Sequence, residues 1–416
     1  MNSKPPLLFL AHRIPFPPNK GDKIRSFHLL KHLSDSFDVY LATYVDDPDD
    51  WRYCAAVSRY CADAIFIDRT SLMSWAPSVI SGFFDGSPLS CAYYRSRRLQ
   101  AWVSQVIEQH GITRSFLFCS PMGQFLVDRA QSRRTVDTTI IDLVDVDSEK
   151  WSLYSKSQTG LKRWLFRLES RRLFAEEKKL VEAASCCYLV SDREAEMLRS
   201  KLPGLESKIE AFDNGVDFEF FDPSLDLPNP YCPGDEVIVF TGAMDYYPNV
   251  DAITWFADRV FPNVRSLRPR AKLYVVGRNP APSVCQLQSR DGVVVTGGVQ
   301  DVRPYLKFAK LAVAPLRIAR GVQNKVLEAL SMDRPVLATE AGFEGVDERL
   351  RKSVAIEDCP ATSAAVAVQI LAGSSSADAA RATIIECYRW ERTLEPLKRK
   401  LMDGPPQLSS GSAHAG

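Results

Sequence analysis

Between Ala319 and Gly342 the chain reads ARGVQNKVLEALSMDRPVLATEAG, and several residue types there are spaced for chemistry. Arg320 stands just before Gly321, and Asn324, Lys325 and Glu328 follow. Residues three, four and seven places on share a helix face with the first, so these three line up with Gly321. Val322, Val326, Ala329 and Leu330 make the opposite, apolar stripe. That pattern predicts a helix beginning near Val322 and packing on a sheet. Its first N–H groups have no partner inside the helix, and its dipole is positive there. Gly321 lets an anion approach this backbone closely, which suits a phosphate. From Gly321 to Glu328 is about 10 Å at ~1.5 Å per residue, room for a diphosphate at the tip and a ribose against the carboxylate. The spacing leaves a second reading open: a solvated face with a Lys325–Glu328 pair three residues apart.

Strands must hold that helix in place. KLAVAPL predicts a strand ending near Pro315, and RIARG is the loop that follows. The same strand-then-turn pattern recurs in DEVIVFTGAM, AKLYVVGRNP, DGVVVTGG and RPVLATEAG. Earlier in the chain, LLFLAH (Leu7–His12) runs into the proline-rich RIPFPPNKGD, then into KIRSFHLLKHLS with helical spacing. FDVYLATYV, DAIFID, RSFLFCS, TTIIDLVD and CCYLVSD read as further strands, with helical patterns between several of them. Strands alternating with helices predict parallel sheets covered on both faces. Two α/β lobes result. The domain reading is 1–217, a linker over 218–234, 235–385, a terminal helix over 386–402 and a disordered tail over 403–416. Four prolines in the seventeen residues FFDPSLDLPNPYCPGDE mark the linker.

Composition narrows the classes. With 416 residues, 45% hydrophobic, the chain has material for two or three domains and real cores. Its 52 basic and 51 acidic residues give a net charge of +1, which offers no global reason to expect nucleic acid. The start MNSKPPLLFLAH has too short an apolar run for a secretory signal, and no run of ~18 apolar residues exists to span a membrane. Ten scattered cysteines without C-x-x-C read as reduced and mostly core-filling, in a cytoplasmic protein. Neither lobe carries G-x-G-x-x-G, G-x-x-x-x-G-K-[ST] or G-x-S-x-G, which disfavours nicotinamide dehydrogenases, P-loop enzymes and α/β-hydrolases. Open α/β sheets place ligands at the carboxyl ends of their strands. Two lobes with facing strand ends therefore point to a cleft.

Other residues at strand ends carry weaker signals. His12 and Arg13 end the first strand. Asp142, Asp145 and Asp147 end another in DLVDVDSEKW, where a polar contact to substrate and a helix cap are both open. Asp145-Val146-Asp147 matches the metal-binding D-x-D, a short pattern, and no other set of residues has metal-ligand spacing. Arg278 in VGRNP ends a strand of the second lobe. Lys156–Leu180 is basic and amphipathic, with Trp164, Leu165, Leu168, Leu173 and Phe174 among Lys162, Arg163, Arg167, Arg171 and Arg172. From Lys150 to Leu180 there are nine cations and three anions. Peripheral contact with an anionic bilayer through 156–180 and ordinary packing on the sheet are the two readings.

GVQNKVLEALSMDRPVLAT resembles the signature helix of the retaining GT-B glycosyltransferases of family 4, whose E-x7-E motif ends in a glutamate matched by Glu328. NGVDFEFFDP, FTGAMDYYPNVDAITWF, AKLYVVGRNP and PPNKGDKIRSFHLLKHLS resemble further family segments in the same order, from Leu7 to about Leu401. IIDLVDVDSEKW and GVQNKVLEAL are similar to the sugar transferases that accompany exosortase (PEP-CTERM) and exopolysaccharide gene clusters.

The resemblance implies a GT-B fold: two Rossmann-like domains facing across a cleft, with the C-terminal helix returning to the N-terminal domain. It implies transfer of a sugar from a UDP- or GDP-sugar to a glycan or lipid-linked acceptor, with retention, no metal and no other cofactor. Glu328 would hold the ribose, and the Gly321–Val322 backbone and Lys325 the diphosphate. Gly242, Arg278 and Asn324 would complete the donor site. His12, Gly21 and Lys23 would line the acceptor side, with Gly21 facing the phosphates, and Asp142 or Asp145 would stand near the acceptor or the transferring sugar. The chain departs from the pattern at Arg320, where the first glutamate of E-x7-E belongs, and in GAMDYYPN, which lacks the usual basic residues. Arg320 is therefore expected to join Lys325 at the diphosphate. A nucleotide-sugar epimerase on the same fold and a non-catalytic partner in polysaccharide assembly are the other function classes. The expected location is cytoplasmic, with peripheral contact on the inner face of the membrane.

Overall fold

The computed structural model describes residues 4–126, 136–156, 158–318, 321–373 and 380–404. The chain divides into two compact units, one of Met1–Phe212 with Leu394–Gly416, the other of Asp213–Thr393.

Among the described residues, the first unit is built on seven strands: β1 (Pro6–Ala11), β2 (Asp38–Val45), β3 (Asp63–Asp68), β4 (Arg114–Phe118), β5 (Thr138–Val144), β6 (Cys186–Leu189) and β7 (Ile209–Ala211). They lie in the order β3-β2-β1-β4-β5-β6-β7 with parallel neighbours. Leu7 to Ala11 are wholly buried, as expected of a parallel strand covered on both faces. The strand order reverses between β1 and β4, where successive loops diverge and leave a crevice at the carboxyl ends. Helix α1 (Gly21–Ser34) follows β1, and α2 (Leu72–Asp85) follows β3. Helices α3 (Asp147–Lys156) and α4 (Gly160–Ala183) pair as a hairpin after β5, with Trp151 5.1 Å from Phe166 between ring centroids.

The second unit repeats the scheme with β8 (Glu236–Thr241), β9 (Ala271–Val276), β10 (Val293–Gly297), β11 (Leu311–Ala314), β12 (Val336–Ala338) and β13 (Val354–Ile356). The order is β10-β9-β8-β11-β12-β13, again parallel. The reversal falls between β8 and β11. Helix α5 (Tyr247–Arg259) follows β8, and α6 (Asn324–Ser331) follows β11. Side chains alternate across a strand, and β8 shows the consequence. Val237 and Val239 share a core with Val326 and Leu330 of α6. Ile238 and Phe240 share the other core with Ile253 and Phe256 of α5. The two helices thus cover opposite faces and leave the crevice between their starting loops. An eight-residue helix is marginal alone, so α6 rests on its buried stripe. Each such large side chain contributes about 1.5–3 kcal/mol on burial.

Three expectations change here. Segment 218–234 is not a free linker: Phe221 and Tyr231 belong to the second unit's core, and the Tyr231 hydroxyl donates to the Tyr305 carbonyl at 2.6 Å. Aromatic burial outweighs the proline-rich composition that suggested a linker. Helix α6 starts at Asn324, not near Val322, because Gly321 has φ +68° and Gln323 is extended. The cysteines are free, but only Cys91, Cys186 and Cys187 are buried. The terminal helix α7 (Trp390–Asp403) joins the first unit from Leu394 on. There Leu394, Leu397 and Leu401 are buried, and the Arg114 guanidinium donates to the Leu401 carbonyl at 2.7 Å. Residues 405–416 of the expected tail lie outside the described residues.

Candidate donor site in the second unit

At the reversal between β8 and β11, the starts of two helices meet through a hydrogen bond. The Lys325 ammonium, in the first turn of α6, donates to Asn249 Oδ1 at 2.6 Å. Asn249, in the first turn of α5, is buried and donates through Nδ2 to the Ala243 carbonyl at 2.9 Å. A Cβ at Gly242 would come within 2.7 Å of that amide nitrogen, so the turn after β8 needs glycine for the close approach. The Lys325 ammonium also stands 5.0 Å from the Phe240 ring centroid, in cation–π range. Lys325 is thus held from two sides, by the Asn249 amide oxygen and the Phe240 ring.

Lys325 and Glu328 share this environment. Burial pushes the Lys325 ammonium down to about 8, against the opposing pull of Glu328. Burial pushes the Glu328 carboxyl up to about 7, against the opposing pull of Lys325. Each group is held toward its neutral form by lost solvation, and each partly restores the other's charge. Titratable groups shifted this way in a crevice are poised for a charged ligand.

The tip of α6 is arranged around Gly321. Its left-handed φ of +68° favours glycine, and the Gln323 amide donates to its carbonyl at 3.0 Å. Gln323, at the N-cap, makes no side-chain cap to α6, so its first N–H groups are not covered by a capping side chain. Val322 is buried against the sheet core. Asn324 accepts from the Asn214 amide at 3.3 Å, which ties the tip to the start of the unit. Arg278, after β9, is half-buried, and its stem lies against Gly298. The Met244 N–H donates to the Arg278 carbonyl at 2.9 Å, joining the turns after β8 and β9. Gly242, Asn249, Gly321, Lys325 and Glu328 therefore all sit at the carboxyl edge of this sheet. Arg320 lies outside the described residues.

In the first unit, the expected residues divide. His12 ends β1, with its imidazole stacked on Phe118 at 5.7 Å and Nε2 3.4 Å from Asp22. Arg13 binds Asp22 at 2.6 Å and Asp46 at 2.7 Å. Burial works against ionisation of Asp22, but its bond to His12 and the Arg13 charge outweigh it and hold the carboxyl well below the usual range. Gly21 opens α1, with open space where a Cβ would stand. Two assignments are corrected. Lys23 does not line the acceptor side, because it is buried and paired with Asp50. Asp142 does not reach substrate: it is fully buried, 2.6 Å from the Arg25 guanidinium, and accepts the Val144 N–H at 3.0 Å. Val144 has φ +67°, a strained value for a β-branched residue, and Asp142 anchors that turn. Asp145 and Asp147 both bind Lys150, at 2.6 and 3.3 Å, so the D-x-D stretch carries its own cation.

Sequence reasoning missed Asn249. Its position after Pro248 reads only as a helix start, and nothing local signals a lysine 76 residues away. Substituting it tests the positioning of Lys325. Asn249→Ala is expected to weaken nucleoside-diphosphate binding roughly three- to tenfold, the size of one net hydrogen bond. Asn249→Asp should weaken it further, because a carboxylate there would occupy the ammonium, and should move the alkaline loss of binding above about 8. Calorimetric titrations across pH check both. Equal affinities in all three proteins would leave Asn249 a packing residue.

Residues 235–372 match the family model described as glycosyl transferases group 1. No curated protein matches the chain in sequence. Among solved structures, sucrose-phosphate synthase from Thermosynechococcus elongatus superposes with a TM-score of 0.67 at 16% identity, covering 96% of this chain and 100% of that one. WaaG, a glycosyltransferase involved in lipopolysaccharide biosynthesis, gives 0.64 at 16% identity, with 96% and 100% covered. HepE of Anabaena, solved with UDP-glucose, gives 0.64 at 12% identity, with 96% and 99% covered. At these identities the superpositions speak for the fold. Fold and matched domain together define a glycosyltransferase of the GT-B type. Its second unit carries the group 1 glycosyl transferase domain.

Proposed function

We propose that this chain is a retaining family 4 glycosyltransferase of the exopolysaccharide, PEP-CTERM-associated kind. It moves a sugar from a UDP- or GDP-sugar to a glycan or lipid-linked acceptor. The observation that carries the reading is the Asn249–Lys325–Glu328 set at the strand-order reversal of the second unit. As the bond from sugar to diphosphate breaks, negative charge grows on the leaving phosphate. Lys325 and the N–H groups around Gly321 stabilise that charge from fixed positions, which is worth most in a site shielded from water. Glu328 accepts the ribose hydroxyls. Gly242, Val322, Asn324 and Arg278 complete the donor side, and Arg320 joins Lys325 at the diphosphate. His12, Gly21 and Asp145 are assigned to the acceptor side. The UDP-glucose complex of HepE supports a nucleotide-sugar donor.

The location that fits this reading is cytoplasmic, with peripheral contact on the inner membrane face through 156–180. Among the described residues no helix is long and apolar enough to cross a membrane. Incubation of the protein with labelled nucleotide sugars and membranes from a polysaccharide producer tests the proposal. Label transferred into lipid or glycan supports it. Interconverted free nucleotide sugar indicates an epimerase, and no reaction indicates a non-catalytic partner.

Catalysis is expected to survive excess EDTA. Lys150 already pairs with both Asp145 and Asp147, and the cationic tip of α6 can supply the charge stabilisation that a metal would otherwise give. Activity lost to EDTA and restored by manganese would return those aspartates to a metal role.

A further inference from the structure

Helix α2 is amphipathic the wrong way round for a soluble surface. Met73, Pro77, Ile80 and Phe84 recur at i, i+4, i+7 and i+11, one continuous stripe, and all four are exposed. Met73 is 87%, Ile80 62% and Phe84 83% accessible. The other side of the helix is the one in contact, where a Cβ at Gly82 would strike Ala92. Adjoining exposed apolar side chains of this size mark an interaction site.

The surface beside this stripe indicates what covers it. The Arg172 guanidinium of α4 donates to the carbonyls of Phe83 and Ser87, at 3.4 and 3.3 Å, at the end of α2. Counting back along α4 from Arg172, Leu168, Trp164 and Leu161 fall on the same helical stripe. Trp164 and Leu161 are exposed, as are Leu153 and Tyr154 on α3. Next to them Arg163, Arg167 and Arg171 form a second row at i, i+4 and i+8, all exposed. Like charges four residues apart destabilise a helix unless a partner offsets them. Glu169, the anion within this stretch, is turned inward and accepts the N–H groups of Leu89 and Ser90. An apolar ridge with tryptophan and tyrosine at its edge, beside a row of exposed arginines, is complementary to anionic headgroups above acyl chains.

We propose that the first unit docks on an anionic lipid bilayer through α2 and α4 together, with the Met73–Phe84 stripe entering the acyl boundary and the arginine row meeting the headgroups. The idea rests on the membrane contact proposed for 156–180 and adds α2 as the inserting element.

Flotation with phosphatidylcholine vesicles, with and without phosphatidylglycerol, tests it on the full chain. The wild type should float with the phosphatidylglycerol vesicles and not with phosphatidylcholine alone. Ile80→Ser with Phe84→Ser should lower partitioning about tenfold or more, since two buried apolar side chains are lost. Arg163→Glu with Arg167→Glu and Arg171→Glu should abolish the salt-sensitive part of binding. If only the arginine variant loses binding, α2 is not an inserting element and the narrower contact through 156–180 stands. If the wild type does not float, both ideas fail. Self-association that the α2 variant abolishes, without flotation, would make the stripe an interface between copies. All positions changed are exposed, and an unchanged thermal shift with UDP in each variant checks folding and separates these outcomes from failure of the donor-site reading.

Discussion

Replacing Lys325 with alanine is expected to lower kcat/KM for the nucleotide-sugar donor by about a hundredfold or more, the range seen when one fixed electrostatic donor is removed from an active site. The physical case begins with the crevice between β8 and β11. Burial has pushed the Lys325 ammonium down to about 8, and Glu328 offsets that loss of solvation only in part. A diphosphate arriving there supplies the missing counter-charge, and the charge that develops on the leaving oxygen supplies more. The loss should therefore fall on kcat as well as on KM. The same residue sets an alkaline limb. As pH rises through about 8 the free protein loses the Lys325 proton, so kcat/KM should fall there. Lys325→Arg keeps the charge at all accessible pH and should erase that limb while recovering only part of the rate, since a guanidinium cannot place its charge as the ammonium does. Steady-state rates with a saturating acceptor, measured from pH 6 to 10, decide the matter. A folded Lys325→Ala protein within about threefold of wild type would remove Lys325 from the chemistry.

Glu328→Gln should have the second largest effect, and on two observables. Donor affinity is expected to fall by roughly 1.5–3 kcal/mol, the range for hydrogen bonds to a charged group, or about ten- to 150-fold in Kd. Stability should change its pH dependence as well. The unfolded carboxyl ionises near 4.5, while in the folded protein it keeps its proton to about 7. Across that window the native state binds more protons, so stability falls as pH rises. Lys325 acts in the opposite sense. The unfolded amine holds its proton to about 10.5 and the folded one only to about 8, so stability rises across that window. The pair therefore places a trough in stability between about pH 7 and 8, where the enzyme must hold both charges ready for the donor. In Glu328→Gln the acid limb should vanish. The melting temperature of the wild type minus that of the variant should decline from about pH 4.5 to 7. Parallel curves, together with unchanged UDP affinity by calorimetry, would take Glu328 out of the site.

Much of this was written locally in the chain. Every strand from β1 to β6 and from β8 to β12 coincides with an apolar run read from the sequence; the central strands do so because a parallel strand buried on both faces shows its burial in its own composition, and the edge strands β3 and β10 are only half-buried yet long enough to be seen. The short edge strands β7 and β13, of three residues each, carry too little pattern to be seen this way. The face shared by Asn324, Lys325 and Glu328 follows from helical geometry alone, even though the helix begins two residues later than its apolar stripe suggested.

Side-chain partners distant in sequence were a different matter. Asp142 ends a strand and reads as a cleft residue until Arg25, 117 positions away, is found to bury it. Lys23 follows a glycine loop and reads as an acceptor-side residue, yet Asp50 draws it inside. Asn249 looks like a helix-start residue and turns out to hold the lysine of another helix. A buried charge must find a partner wherever the fold supplies one, and which partner is near depends on strand order rather than on neighbours in sequence. Helix α2 makes the same point from outside. Its sequence is apolar enough for a core, and only the packed sheet shows that its Met73–Phe84 stripe is left facing outward. Periodicity thus determined the elements and the charged face of α6. Tertiary packing decided which charges stayed free for a ligand, because desolvation acts on the folded surroundings of a group and not on its sequence.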